Sequence, residues 1–456
     1  VVLKCTKCEN NNIKVGWCSS CEGASYREKF NEWTSGNQEI DEIIQNTQLN
    51  PEFPEKNLEW IDYQEFSEKS KLGEGNFGIA YSAEWYKGPR NLYDKETNRW
   101  VRRGPTKVVL KILDDITNFQ NFLYELTAII NTSDPLHIVR TFGITKEPEH
   151  NKYVVVMDMY INGDLFNFFK EKEDLKNLER FAILGWIAAG LYIIHEKNQI
   201  HNDLHSSNIL IKYNSDPNFE GPRYLGLIAD FGQCRTVNSA STGEIIGARE
   251  YIAPEILETL QYSQYTKKSD IYSFGKIIED VFPDNMSILM KVLKKSCTNR
   301  SPSDMKNVFI FLKEVVVYYE FGPDQFFDIF RKKLDELNSV KQELNRQNYI
   351  DSSMKDRLIT SMNNLLLAVP IEKPQFSYEC HVLISILKNS DIISINGILI
   401  DKMDAIIEYL SIYLYWFDRV QNYVPESDPK NIQPNSSKSP IDQTILSDRD
   451  QVFIEL

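Results

Sequence analysis

The sequence predicts an α+β protein of two lobes, β-rich and then helical, with a short four-cysteine segment ahead of them and a helical appendage behind. Three observations predict it. Between Tyr63 and about Lys170 the runs "GIAYSAEW", "KVVLKIL", "HIVRTFGI" and "KYVVVMDMY" are rich in β-branched and aromatic residues, with one helical interruption, "TNFQNFLYELTAII". From Phe181 onward apolar residues recur mainly at helical spacing, apart from strand-like pieces at "NILIKY" and "LGLIADFG". Beyond about Ser303 the segments "NVFIFLKEVVVYY", "QFFDIFRKKLDELNSVKQEL" and "MDAIIEYLSIYLYWFDRV" repeat the helical pattern, and "SINGILI" carries an Asn-Gly turn signal. A sheet-rich lobe followed by a helix-rich one makes the cleft between them the expected place for a ligand.

Taken in order, the chain opens with "CTKC" and "WCSSC", four of its seven cysteines, at Cys5, Cys8, Cys18 and Cys21. Two CxxC knuckles can wrap four thiolates around one zinc ion, which would organise residues 1–33 although they are too few to have a core. Four thiolates leave no position open for water, so the zinc would be structural. The competing reading is unliganded cysteines in a disordered leader. Cys234, Cys297 and Cys380 are scattered and read as ordinary buried thiols. Residues 34–61 follow, where Ile40, Ile43 and Ile44 announce a short helix and Pro51 and Pro54 a linker. Residues 62–302 hold the two lobes, 303–423 the helical appendage, and the polar, proline-rich 424–456 a mostly disordered tail.

The formal charge of −14 argues against a nucleic-acid partner, which would need a basic face. No apolar run reaches the ~18 to 20 residues that span a bilayer. The nearest, Phe181 to Ile194, reads as a buried helix. No signal-peptide pattern is present, and the expectation is a reducing, intracellular and cytoplasmic setting.

The chemistry lies in several short motifs. In "LGEGNFGIAY", Gly73, Gly75 and Gly78 sit between two strand-like runs, where the lack of side chains lets peptide N–H groups approach a phosphate. A strand and the long hairpin "WYKGPRNLYDKETNRWVRRGP" follow, not the helix that a dinucleotide fold requires. Lys111, within apolar "KVVLKIL", needs a partner, either phosphate or Glu125 on the next helix. In "IHNDLHSSNIL", Asp203 suits a base for a hydroxyl proton, while Asn208 and the Asp230 of "IADFGQC" offer oxygens to Mg²⁺. Taken singly, each is equally a loop cap.

The order of these stations, followed by "YIAPEIL" and "KKSDIYSFGKII", resembles the eukaryotic protein kinase family from about Asp62 to Pro302. "DLHSSN" and "SDIYSFG" look most like its tyrosine-kinase-like branch, whose members mostly phosphorylate serine and threonine. The cysteine ribbon joined to such a domain also resembles a kinase type expanded in some fungi. The resemblance implies the bilobal protein kinase fold and transfer of the ATP γ-phosphate to hydroxyls of a protein substrate. It implies that Gly73, Gly75 and Gly78 cover the phosphates, with Ala80 against adenine. Lys111 would hold the α- and β-phosphates and Glu125 fix Lys111. Asp203 would be the base, and Asn208 and Asp230 the Mg²⁺ ligands. Met157 would be the gatekeeper, Asp158, Met159 and Tyr160 the hinge to adenine, and Asp164 a contact to ribose. Asp270 would brace the catalytic loop and Glu255 be structural.

Departures from the family pattern fall on regulation and docking. Asn202 replaces the arginine that grips an activation-segment phosphate, which argues against that switch even though Thr236, Ser239, Ser241 and Thr242 remain acceptors. His205 and Ala248 stand where lysine and threonine are usual, and "FPDNMSILMKVLKKSC" replaces a longer substrate-docking segment. Two functions follow: an active kinase, and a pseudokinase that keeps the fold as an ATP-binding scaffold or adaptor. Lys87, Arg90, Arg99, Arg102, Arg103 and Lys107 crowd the hairpin before Lys111, as a solvated loop or a dock for an acidic partner.

Overall fold

The computed structural model describes residues 5, 8, 13–14, 17–49, 56–75, 78–94, 99–112, 119–172, 174–215, 223–237, 247–258, 265–283, 288–298, 305, 308 and 312. The "SINGILI" turn, most of the appendage, the tail, Cys380, Ser239, Ser241 and Thr242 lie outside the described residues. Chain contacts separate two compact units, residues 1–175 with 186–281, and residues 176–185 with 282–456.

The first unit begins with a two-stranded antiparallel sheet, β1 (Ile13–Lys14) and β2 (Trp17–Cys18), and α1 (Ser19–Arg27) starts at its end. Helix α2 (Gln38–Leu49) follows, its first turn capped by the Asn37 side chain on the N–H groups of Glu39 and Ile40. Next come β3 (Glu59–Trp60), β4 (Phe66–Gly75), β5 (Gly78–Trp85), the hairpin β6 (Arg90–Asp94) and β7 (Arg99–Arg102), and β8 (Thr106–Ile112). Helix α3 (Phe119–Thr132), β9 (Thr141–Glu147) and β10 (Lys152–Asp158) complete the sheet-rich part. Strands β3-β9-β10-β8-β5-β4 form one six-stranded sheet, antiparallel except for the β3–β9 pair. That parallel pair depends on Gly143, because a Cβ there would fall 2.0 Å from the Glu59 carbonyl oxygen. Two residues are too few for any periodicity to reveal β3 in the sequence.

The strand pleat sorts the sheet into two faces. Val108, Leu110, Val154 and Val156 join Phe66, Trp85 and Phe142 in one cluster. The other face carries Ile144 and Val155, packed against Phe122, Leu123 and Leu126 of α3 and Ile40 and Ile44 of α2. The helix predicted at Ile40, Ile43 and Ile44 is therefore part of the wall of the sheet-rich lobe. Ile40 and Ile44 are fully buried, a contribution of roughly 1.5–3 kcal/mol each.

The basic hairpin is partly neutralised from within. Lys87 pairs with Glu65, Arg90 with Glu22 and Arg102 with Glu59. Three of the six bases are thus engaged by carboxylates from earlier in the chain, which weakens the reading of this face as a dock for an acidic partner.

After β10 come α4 (Leu165–Glu171), α5 (Asn177–Glu196), β11 (Gln199–Ile200), β12 (Ile209–Tyr213), β13 (Tyr224–Ile228), β14 (Arg235–Thr236), α6 (Pro254–Glu258) and α7 (Lys267–Val281). By length and composition α5 is able to cross a membrane, which the apolar run alone did not indicate, yet 67% of its apolar window is buried inside the protein. It reads as a core helix. In the second unit Phe181 and Phe282 pack with ring centroids 5.2 Å apart, and α8 (Ile288–Thr298) buries Met290, Leu293 and Cys297.

Candidate active site

Because Val108 and Leu110 face one side of the sheet, Lys111 faces the other, toward α3. On α3 the buried positions Phe122, Leu126 and Ile129 set Glu125 on the same inward face. The Lys111 ammonium accordingly lies 2.9 Å from Glu125 Oε1 and 2.8 Å from Asp230 Oδ1. Burial opposes its charge, but the two carboxylates outweigh burial and hold Lys111 above the usual lysine range. Burial likewise pushes Glu125 up, with Lys111 offsetting this only in part and Asp230 adding repulsion. Asp230, half-buried, is held below the usual range by Lys111 and by the Gly232 N–H at 3.2 Å, which outweigh the cost of desolvation. Two carboxylates against one ammonium leave the locality negative, an arrangement that suits a divalent cation at Asp230.

Loop 201–208 is fixed from beneath by α7. Asp270, 1% exposed, accepts from the N–H groups of His201 at 2.8 Å and Asn202 at 3.0 Å, and meets His195 Nε2 at 3.0 Å. Strands β12 and β13 pair antiparallel with Ile209 opposite Ile228, and the Ala229 N–H donates to the Asn208 carbonyl at 2.8 Å. Asn208 and Asp230 consequently emerge at the same end of this small sheet. The Asn208 amide nitrogen donates to the Asp203 carbonyl at 2.8 Å and to Oδ2 at 3.4 Å, so its oxygen is the end left to meet a cation. Asp203 is buried, and its Oδ1 has no hydrogen-bond partner among the described residues. His205 Nε2 lies 3.5 Å from that oxygen. An open, buried carboxylate oxygen is unfavourable unless something takes it up, and an incoming hydroxyl would do so.

Strands β4 and β5 place Gly75 opposite Gly78 and Gly73 opposite Ala80, while Ala80 faces Lys111 across β8. A Cβ at Gly73 would find nothing within 4 Å, so the space over this strand is open to phosphate. Met157 sits opposite Val109 at the end of β10. Beyond it, the Asp158 N–H donates to the Arg140 carbonyl at 2.9 Å and the Met159 N–H to the Asp158 carboxylate at 3.0 Å. A purine would therefore meet a hinge with these two donors already engaged. Val139, Leu227 and Ala229 form an apolar floor with Met157, Tyr160 and Leu210. Asp164, the residue expected at ribose, caps α4, accepting from the Asn167 N–H at 2.9 Å and its side-chain amide at 2.8 Å.

Residues 66–288 match the protein kinase domain. The chain is 29% identical to cysteine-rich receptor-like protein kinase 7 of Arabidopsis thaliana over 48% of this chain and 30% of that protein. It is 27% identical to tyrosine-protein kinase Abl of Drosophila melanogaster, over 48% of this chain and 12% of that one. With serine/threonine-protein kinase unc-51 of Caenorhabditis elegans the identity is 28%, over 48% and 24%. The chain thus spans less than a third of the length of these relatives.

Two features of the kinase domain escaped sequence reasoning. Asn202, with φ +68°, donates its side-chain amide to the Gln233 carbonyl at 2.8 Å, tying loop 201–208 to the segment after Asp230. The substitution read as a lost cation is also a gained neutral bond, and the sequence carried no signal of its partner. Gly247, at φ +110°, approaches Asp203 so closely that a Cβ would lie 3.1 Å from Oδ1. Arg235, the cation next to Thr236, donates to the Cys234 carbonyl at 2.7 Å. Burial pushes the Cys234 thiol up to about 12, which fits the reading of an inert buried cysteine.

Ahead of the kinase domain, the Sγ atoms of Cys5, Cys8, Cys18 and Cys21 all lie within 4.8 Å of one another, with Cys5–Cys21 at 3.7 Å and Cys8–Cys18 at 3.5 Å. A tetrahedron with Zn–S bonds of about 2.3 Å has edges of about 3.8 Å, so the four thiols fit zinc, whereas a disulfide would bring two sulfurs to about 2 Å. Burial and neighbouring thiols push Cys18 and Cys21 up, a cost that a bound cation would reverse. Metal analysis of the purified chain is expected to give about one zinc per chain, lost in Cys18→Ser. A metal-free wild type with a folded N-terminal segment would sink this assignment.

Proposed function

We propose that the chain is an active protein kinase that transfers the ATP γ-phosphate to protein hydroxyls, most often of serine and threonine, and that it falls in the tyrosine-kinase-like branch. What carries this reading is the Lys111 ammonium held between Glu125 and Asp230, with Asp203 and Asn208 on the adjoining loop. ATP with Mg²⁺ would supply an electrophilic phosphoryl group. Lys111 would fix the α- and β-phosphates, Asn208 and Asp230 would hold the cation, and Asp203 Oδ1 would accept the proton of the attacking hydroxyl. The serine/threonine preference rests on "DLHSSN" and "SDIYSFG", since the relatives above include kinases named for both acceptor types. A cluster of four cysteine thiols, suited to a metal, fits a reducing, intracellular compartment.

The test is Mg-ATP-dependent autophosphorylation, followed by phosphoamino-acid analysis. Phosphoserine and phosphothreonine are expected. A chain that binds nucleotide but transfers nothing would be a scaffold, and the enzymatic reading would fail. Gly247→Ala is expected to lower turnover by roughly ten- to a hundredfold at little-changed ATP KM, because a Cβ displaces the base and not the nucleotide. Steady-state kinetics checks this, and an unchanged turnover would show that Asp203 tolerates the crowding.

A further inference from the structure

We infer that Ile40 and Ile44 of α2, outside the region that matches the kinase domain, are positioning residues for phosphoryl transfer and act through Glu125; the inference rests on the function proposed above. The two side chains lie one helical turn apart and are both 0% exposed, in a cluster with Phe122, Leu123 and Leu126 of α3. Leu126 adjoins Glu125 in the chain. The surface that α2 covers is therefore the face of α3 flanking the group that meets Lys111 at 2.9 Å.

Helix α2 is fastened on either side of this seam. At its start, Asp41 accepts from the Ser35 N–H at 2.7 Å and from the Thr34 hydroxyl at 2.6 Å, and the Tyr153 hydroxyl donates to the Ser35 carbonyl at 3.2 Å. The Tyr153 ring in turn stacks on Phe122 with centroids 5.7 Å apart. Near its end, Gln48 donates to the Leu58 carbonyl at 2.6 Å and the Leu58 N–H donates to Thr47 at 3.1 Å. Leu58 belongs to the same apolar cluster and directly precedes β3. Helix α2 is thus anchored through the sheet, with its middle pressed on α3. Across the helix Tyr124 is 57% exposed, so α3 has its cover on the α2 and sheet side. Without Ile40 and Ile44, Phe122 and Leu123 lose that wall. Helix α3 can then roll, drawing Glu125 from Lys111 and leaving the ammonium with Asp230.

The test uses the full chain carrying Ile40→Ala and Ile44→Ala together, with Ile44→Val as the conservative control, each also in a Glu125→Gln background. Two quantities are read: amide hydrogen exchange of α3 relative to α7, and Mg-ATP-dependent transfer. The double variant is expected to lose protection in α3 but keep it in α7, and to transfer about tenfold more slowly. Ile44→Val should restore both, and in the Glu125→Gln background the same pair should cost little more, because its route to the chemistry is already cut. Unchanged protection in α3, or an equal further loss in that background, would overturn the inference and leave α2 as a stability element only. If the wild type itself proves silent in transfer, the function proposed above fails, while the exchange result still decides whether α2 holds α3.

Discussion

Replacing Asp203 by asparagine is expected to remove the proposed phosphoryl transfer, a loss of about 10²- to 10⁴-fold, with nucleotide binding and thermal stability near wild type. The reasoning is steric as well as chemical. Asparagine matches aspartate in shape, and Oδ1 has no hydrogen bond to lose among the described residues, only the longer approach of His205 at 3.5 Å. The backbone bonds that hold the loop come from Asp270, which the change does not touch. What disappears is the carboxylate's capacity to take a proton. Autophosphorylation and nucleotide titration of both proteins settle the matter. Equal transfer by the two would show that Asp203 is not the base, and lost nucleotide binding would show that it props up the site.

Lys111→Met should abolish transfer and also destabilise the fold by about 3–5 kcal/mol at neutral pH, the usual result of leaving buried charge without its partner. Glu125 and Asp230 both contact the ammonium, so its removal leaves two carboxylates facing each other in a largely dry site. The pH dependence separates this cause from simple loss of packing. In the wild type Asp230 is held low, so its contribution is present above the ordinary aspartate value and lost as pH falls through its lower folded value. Lys111 is held high, so its contribution is complete below the ordinary lysine value and lost only in strong alkali. In the variant both carboxylates are raised, their protonated forms are favoured, and stability is regained on mild acidification. Melting curves between about pH 5 and 8 show this as a narrowing gap between variant and wild type. A gap independent of pH would point to lost packing instead.

The residues of the candidate site stood out in the sequence because each lies in a short local motif whose chemistry limits the residue types: glycines at Gly73, Gly75 and Gly78, a lysine within an apolar strand, acids at loop ends. Their roles came from the order of the motifs, and the structure brings Lys111, Glu125 and Asp230 into contact and sets Asn208 beside Asp203. Features that depend on distant partners were not legible. Helical spacing announces that Ile40 and Ile44 have an apolar side, but not that α3 covers it. A row of basic residues in the hairpin says nothing of Glu22, Glu59 and Glu65, whose pairing depends on how the chain folds back. Asp164 shows the converse. Its local geometry as a helix cap is the commonest use of an aspartate after a turn, and in the structure that local demand is what it satisfies.

The bond from Asn202 to the Gln233 carbonyl carries no net charge at either end. An arginine–phosphate latch needs a phosphate added to close it and opens when a phosphatase removes the group. The amide tie answers to neither. It forms when the chain folds and persists as long as the chain stays folded. If the proposed transfer activity holds, a loop tied in this way would make the chain a steady source rather than a relay, with output following the number of copies made.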